Sequence, residues 1–169
     1  MHYSSMERMK QFVNEHDLLN GRTIIDVGAY DLNGSYRIIF DGSKSKYFAT
    51  DIIEGGGVDF LIESERWNEL KEKVDAVISG QTFEHVENLS LLLKQIKDIL
   101  KPGGLFCAIA PSSGPAHPPT WQRHFSVESM TEYISEAGFN VLSCTIDPTP
   151  EWHDCCCVAM RPRGLNEDK

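Results

Sequence analysis

Apolar positions along the chain fall into two alternating patterns. Thr23–Val27, Tyr47–Thr50, Val58–Ile62, Val74–Ser79, Leu105–Ala110, Phe139–Ile146 and Cys155–Met160 are short, near-continuous apolar runs rich in β-branched residues. Runs of that length and composition predict seven strands, most of them buried on both faces. Between them the spacing changes to three and four residues. Met6, Met9, Phe12 and Val13, behind Ser4 or Ser5 as cap, predict a helix within residues 1–20. Gly34–Phe40 reads as a short helix ended by Asp41-Gly42, and Ser64–Lys73 as another, with Trp67 and Leu70 on one face. Leu89, Leu92, Leu93, Ile96, Ile99 and Leu100 form the clearest helical stripe, with Asn88 as cap and Lys101-Pro102-Gly103-Gly104 as stop. Ser126 caps a last helix carrying Val127, Met130, Tyr133, Ile134 and Ala137, closed by Gly138.

Strands alternating with helices predict an α/β fold, a mostly parallel sheet covered on both faces. No helix separates the last two strands. A short connection joins antiparallel neighbours, so the final strand is expected to run against the rest. A length of 169 residues fits one domain over 1–169, with a frayed tail at 162–169.

Charge narrows the function classes. The formal net charge is −9 and the basic residues are scattered, which argues against a nucleic-acid partner. No apolar run reaches the roughly 20 residues that span a bilayer, and no secretory leader pattern opens the sequence. The expectation is a cytoplasmic protein without membrane partners. Five cysteines, three of them consecutive at Cys155–Cys157, match neither a disulfide framework nor a metal-ligand spacing. They are read as small, reduced, buried side chains, and no metal site is expected.

In an open α/β sheet, ligands bind at the carboxyl ends of the strands. The first strand ends in Asp26 and Val27, and Gly28, Ala29, Tyr30 and, six residues past Gly28, Gly34 follow it. Either a tight strand-to-helix turn or a cradle for an anionic group has this form. Asp51 ends the second strand, where a carboxylate can accept from both hydroxyls of a ribose or serve as a cap. Ile52 follows it. Glu63 and Ser64 follow the third strand, where a carboxylate and a backbone N–H can meet an adenine edge. Gln81, Thr82, Glu84 and His85 follow the fourth. The Pro-rich loop 111–125 carries His117, Trp121, Arg123 and His124.

The set Asp26-Val27-Gly28, Asp51, Asp75–Ser79, Glu84-His85-Val86 and Leu100–Gly104 resembles the class I S-adenosylmethionine-dependent methyltransferases. Glu136–Phe139 extends the likeness, which runs from about Thr23 to Arg161. Asp31-Leu32-Asn33-Gly34-Ser35, with His117–Phe125, is most similar to a small bacterial methyltransferase-11-like branch that carries a "DVNGS" loop and often accompanies glycan assembly. The resemblance implies a Rossmann-like three-layer sandwich with a seven-stranded sheet, and S-adenosylmethionine as cofactor. It implies that Gly28 and its neighbours pass under the methionine part, that Asp51 holds the ribose, that Glu63 and Ser64 frame the adenine, and that Gln81 lies by the amino group. The family's usual glycine-rich turn is reduced here, with Tyr30 at the place of its second glycine.

Methyl transfer to a small-molecule acceptor, such as a sugar or glycan, then follows as the expected activity, in a monomer or homodimer. A hydroxyl acceptor needs a base, and His85 and His124 are the candidates. His117, Trp121 and Arg123 are the candidate acceptor-binding residues, Trp121 offering a flat face and Arg123 a charge. Three other readings compete. A non-catalytic binding module on the same fold is favoured by the small size. A nicotinamide-dependent oxidoreductase lacks its G-x-G-x-x-G turn here. A nucleic-acid methyltransferase lacks an Asn-Pro-Pro-Tyr-like tetrad after the fourth strand.

Overall fold

The most apolar runs form the centre of one sheet. In the computed structural model, which describes residues 3–32, 34–114, 123–148 and 153–164, β1 (Thr23–Val27), β4 (Val74–Gly80) and β5 (Leu100–Pro111) are buried along almost their whole length. They are flanked by β2 (Lys46–Asp51), β3 (Phe60–Leu61), β6 (Asn140–Ile146) and β7 (Asp154–Met160). The order across the sheet is β3-β2-β1-β4-β5-β7-β6. Pairings among β1 to β5 are parallel, and β7 runs antiparallel to both β5 and β6. The final strand is therefore the reversed one, as the short β6–β7 connection predicts, and it inserts between β5 and β6 rather than extending the edge.

Side-chain alternation along the strands divides the core in two. On one face α1 (Tyr3–Glu15) and α2 (Arg37–Phe40) set Met9, Phe12, Val13 and Phe40 against Ile24, Ala76, Ile78 and Ile109. On the other, α3 (Glu65–Glu69), α4 (Leu89–Ile99) and α5 (Val127–Glu136) set Trp67, Leu93, Ile96, Met130 and Ile134 against Ile25, Val77 and Phe106. Each such large side chain contributes roughly 1.5–3 kcal/mol by leaving water. This is the Rossmann-like three-layer sandwich. Ser126 closes a reciprocal capping box with Ser129 at the start of α5, and the Asn88 side chain accepts from Leu91 N at the start of α4. Among the described residues no helix is long and apolar enough to cross a membrane.

Local chemistry shortens three elements relative to expectation. β3 keeps two residues because Gly55, Gly56 and Gly57 all turn through positive φ, and because the Asp59 carboxylate accepts from Ala49 N and Arg37. α2 starts at Arg37, after a side-chain turn in which Asp31 Oδ1 accepts from Gly34 N. α3 stops at Glu69, ahead of a left-handed Glu72. β5 is longer than expected. Leu100 already pairs with Val74, and the Lys101–Gly104 turn becomes a register shift inside the strand. All five cysteines are free and lie on β5, β6 and β7, with Cys107, Cys155 and Cys157 buried.

Candidate functional site

The chain reverses direction across the sheet between β1 and β4, and the loops after these two strands touch there. Gly28 has φ +77°, and a β-carbon on it would overlap the Thr82 side chain, lying 2.7 Å from Thr82 Cβ. The glycine is required by this contact. Thr82 Oγ1 in turn lies 3.3 Å from the carbonyl of Val27 and 3.4 Å from that of Gly28. Gly28 N and Ala29 N both donate to Thr50 O, which ties the β1 loop to the end of β2.

Asp51 organises the neighbouring loops. Its Oδ1 accepts from Ile52 N at 2.7 Å and Ile53 N at 3.3 Å, and its Oδ2 accepts from Tyr30 N at 3.1 Å. Three backbone donors thus orient one carboxylate at the mouth between β1 and β2. The Tyr30 ring lies on Gly56, where a side chain would meet it at 2.9 Å, so the glycine triplet makes room for the tyrosine. Ile52 projects into solvent beside Asp51.

Further along the edge, Glu63 and Gln81 both adopt left-handed backbone, at φ +63° and +57°. Such conformations in residues other than glycine concentrate where geometry serves a site. Glu63 accepts from Gln95 on α4, and Ser64 caps α3 by accepting from Trp67 N. Gln81 Nε2 donates to Asp154 Oδ1 at 3.0 Å, linking the β4 loop to the start of β7.

Beneath the edge, two of the buried acids have carboxyls raised by burial. Asp26 is 3% exposed and takes a 2.5 Å hydrogen bond from the Tyr47 hydroxyl. Burial pushes its carboxyl up to about 7, against the opposing influence of that bond and of Arg37. Glu84, in a 3-10 turn over Phe83–His85, is fully buried, and burial raises it to about 7 as well, with the Asp154 charge adding to the effect. Its Oε1 is 3.7 Å from His85 Nε2.

The acceptor-side candidates separate. Arg123 donates to the carbonyls of Val86 and Glu87 and to the Tyr133 hydroxyl, and its guanidinium stacks over the Tyr133 ring, so it fastens the β4–α4 connection to α5. His124 Nε2 lies 3.2 Å from Gly114 O. His117 and Trp121 lie outside the described residues. Two surface depressions of about 500 and 240 Å³ occur elsewhere, one along α1 and one beside Asp75 and Lys101; neither includes a residue from the loops after β1 to β4.

A family model described as a methyltransferase domain matches residues 6–144. The chain belongs to this family, the class I, S-adenosylmethionine-dependent methyltransferases. Among solved structures, the Burkholderia thailandensis 1,6-didemethyltoxoflavin-N1-methyltransferase superposes with a TM-score of 0.70 at 20% identity, over 94% of this chain and 78% of that one. An S-adenosylmethionine-dependent methyltransferase from Aquifex aeolicus gives 0.66 at 17%, over 95% and 99%. The [4+2]-cyclase SpnF gives 0.72 at 16%, over 93% and 81%. No match was found among curated proteins.

The methyltransferase domain carries polar groups that its sequence pattern did not single out. Tyr47 was legible only as a strand residue; strand alternation places it on the same side of the sheet as Asp26. Asp154 is one polar residue before the cysteine triplet, and only its pairing opposite Pro111 brings it to Gln81.

The two acids raised by burial predict how stability varies with pH. Below about pH 4 these carboxyls are protonated in folded and unfolded chains alike. Between about 4 and 7 the unfolded chain has released protons that folded Asp26 and Glu84 still hold, so stability falls as pH rises through that window. The loss is on the order of a few kcal/mol. Heat unfolding at pH 5 to 8 is expected to show a falling Tm, with a flatter dependence in Asp26→Asn. A Tm that climbs from pH 5 to 7 in the wild type would contradict it.

Proposed function

We propose that this domain transfers the methyl group of S-adenosylmethionine to a small-molecule hydroxyl or amine, of the saccharide or glycan type, at the carboxyl edge of β1 to β4. The observation that carries the reading is Asp51, in a chain of this family: a carboxylate at the end of β2, aimed by the N–H groups of Tyr30, Ile52 and Ile53. Three of its roughly four acceptor positions are in use. A ribose diol takes the remaining position on Oδ2 and competes with the Tyr30 N–H for the other. The likeness of Asp31–Ser35 to the glycan-associated branch supports the acceptor class.

When bound, S-adenosylmethionine supplies an electrophilic methyl group on a sulfonium. Gly28, Ala29 and Tyr30, with Gly34 behind them, line the methionine side. Ile52 and Glu63 flank the adenine, and Ser64, whose hydroxyl caps α3, contributes its backbone. Gln81 and Thr82 border the amino group through main-chain atoms. Asp26 holds the β1 loop through Tyr47 rather than reaching the ligand. His85 and His124 stand as the proton acceptors, and His117 and Trp121 as acceptor contacts, with Arg123 bracing the loop that carries His85.

Calorimetric titration with S-adenosylmethionine, run beside NAD, tests the cofactor half. Micromolar binding of the first and none of the second is expected; a folded protein that ignores S-adenosylmethionine refutes the reading. Incubation with pooled saccharides should then release S-adenosylhomocysteine and add one methyl mass to a sugar. Methylation confined to non-saccharide pools would remove the acceptor class and leave the activity.

A further inference from the structure

The five cysteines gather on three adjacent strands, β5, β7 and β6. Strand alternation sends Cys155 and Cys157 to one face of the sheet and Cys156 to the other. Each face meets a thiol from a neighbouring strand. On the α1 side, Cys107 Sγ lies 4.0 Å from Cys156 Sγ. On the α5 side, Cys144 Sγ lies 3.6 Å from Cys155 Sγ. A single cysteine packs as a small apolar side chain and asks for nothing more. Sulfur facing sulfur across two strands adds a bond that can form.

The surroundings separate the two pairs. Cys107 is fully buried, and β5 and β7, which carry the first pair, each have a hydrogen-bonded strand on both sides. Cys144 is half-buried on β6, the outer strand, which is bonded to β7 alone. The β6 ladder already shifts register between Val141 and Ser143. A sulfur–sulfur bond is about 2.05 Å long, so the Cys144–Cys155 pair must close by roughly 1.5 Å. An outer strand moves that far at less cost than a strand locked on both sides. Both thiols lie under the start of α5, with Cys144 Sγ 3.7 Å from Val127 O and Cys155 Sγ 3.7 Å from Ser126 O. Hydrogen bonds from Cys155 and Cys157 hold Cys144 below the usual thiol range against the effect of burial, while Cys155 is raised. Cys144 is therefore the more accessible thiol and the one that ionises, and the thiolate is the nucleophile.

We propose that Cys144 and Cys155 are a modification site, a dithiol that a hydroperoxide oxidises to a disulfide clasping β6 to β7. This stands apart from the methyltransferase reading. In the first step the Cys144 thiolate attacks one peroxide oxygen. The oxygen–oxygen bond breaks, and the departing oxygen takes the electron pair and a proton. Cys144 is then a sulfenic acid. In the second step the Cys155 sulfur bonds to the Cys144 sulfur. The sulfur–oxygen bond breaks, and the oxygen leaves as water with the Cys155 proton. Two thiols lose two hydrogens in all, and one peroxide is reduced. A dithiol reductant reverses the change by exchange. The clasp lies between the capped start of α5 and the end of β7 that holds Gln81.

The test uses the full chain, reduced and then treated with hydrogen peroxide. After unfolding and alkylation, the count of reactive thiols is expected to fall from five to three. The unalkylated mass falls by about 2 Da, the two hydrogens lost on the oxidation ladder. Dithiothreitol should restore both, and peptide mass spectrometry should join Cys144 to Cys155. Cys144→Ser and Cys155→Ala should each abolish the bridge, whereas Cys156→Ser and Cys157→Ala should keep it. The wild-type peptide map decides the matter even if a variant fails to fold. Five thiols intact at a peroxide dose that oxidises glutathione would overturn the proposal. So would a bridge between any other two cysteines, or oxygen added to Cys144 without a bridge.

Discussion

Asp51→Ala is expected to lower S-adenosylmethionine affinity at least about 100-fold while leaving the chain folded. Hydrogen bonds to a charged group contribute about 1.5–3 kcal/mol each, and a ribose diol makes two, which sets that lower bound. A second effect adds to it. The carboxylate of Asp51 also receives the Tyr30, Ile52 and Ile53 N–H groups, so its removal releases the two loops that shape the mouth. Asp51→Asn keeps one oxygen for Ile52 and Ile53 but loses the charge and the Tyr30 acceptor, and is expected to fall between wild type and Ala. Calorimetric titration of the three proteins, with heat unfolding as control, decides the matter. A folded Ala variant within threefold of wild type would remove Asp51 from the site.

The largest effect on stability is expected at Gly28. An alanine there must hold φ near +77° and place its β-carbon on Thr82. The left-handed backbone costs about 1–2 kcal/mol in a residue with a side chain, and overpacking a further 1–3. No rotamer change of Thr82 removes the overlap, because Thr82 Cβ itself lies 2.7 Å from the added carbon. Gly28→Ala should therefore lose about 2–5 kcal/mol, or roughly 5–20 °C in Tm for a domain of this size. Thr82→Gly in the same chain should recover the overpacking part and leave the backbone part. A double-mutant cycle measures that recovery as a coupling of about 1–3 kcal/mol. Purely additive losses would mean that the two loops do not touch.

These two positions also mark where sequence reasoning about this protein stops. Gly28 was legible as a glycine after a strand, in either a tight turn or a cradle for an anionic group. The structure adds a neighbour, Thr82, fifty-four residues on, which no local pattern announces. Asp51 was legible as an acid at the end of a strand, and its position bears that out. That three N–H groups orient it was not legible, because two of its donors follow it directly while the third comes from the other side of β1. Arg123 illustrates the converse. As a charge in a polar loop it read as a hand for an acidic substrate, and in the fold its donors are taken by carbonyls of the β4–α4 connection.

The alternation of apolar runs by itself determined the α/β class, the strand count and the reversed last strand, since burial on two faces demands continuous apolar strands and short connections demand antiparallel pairing. The paired motifs around Asp51 and Leu100–Gly104 carried the family. Tertiary structure alone decided what depends on distance in space. It placed β7 between β5 and β6, cut β3 to two residues, set Asp154 against Gln81 and buried Glu84 beside His85. Periodicity reports which face of an element is covered, because covering follows from the repeat of the backbone. It carries no information about which polar atom on another element does the covering, and that is what sets the charge of a site.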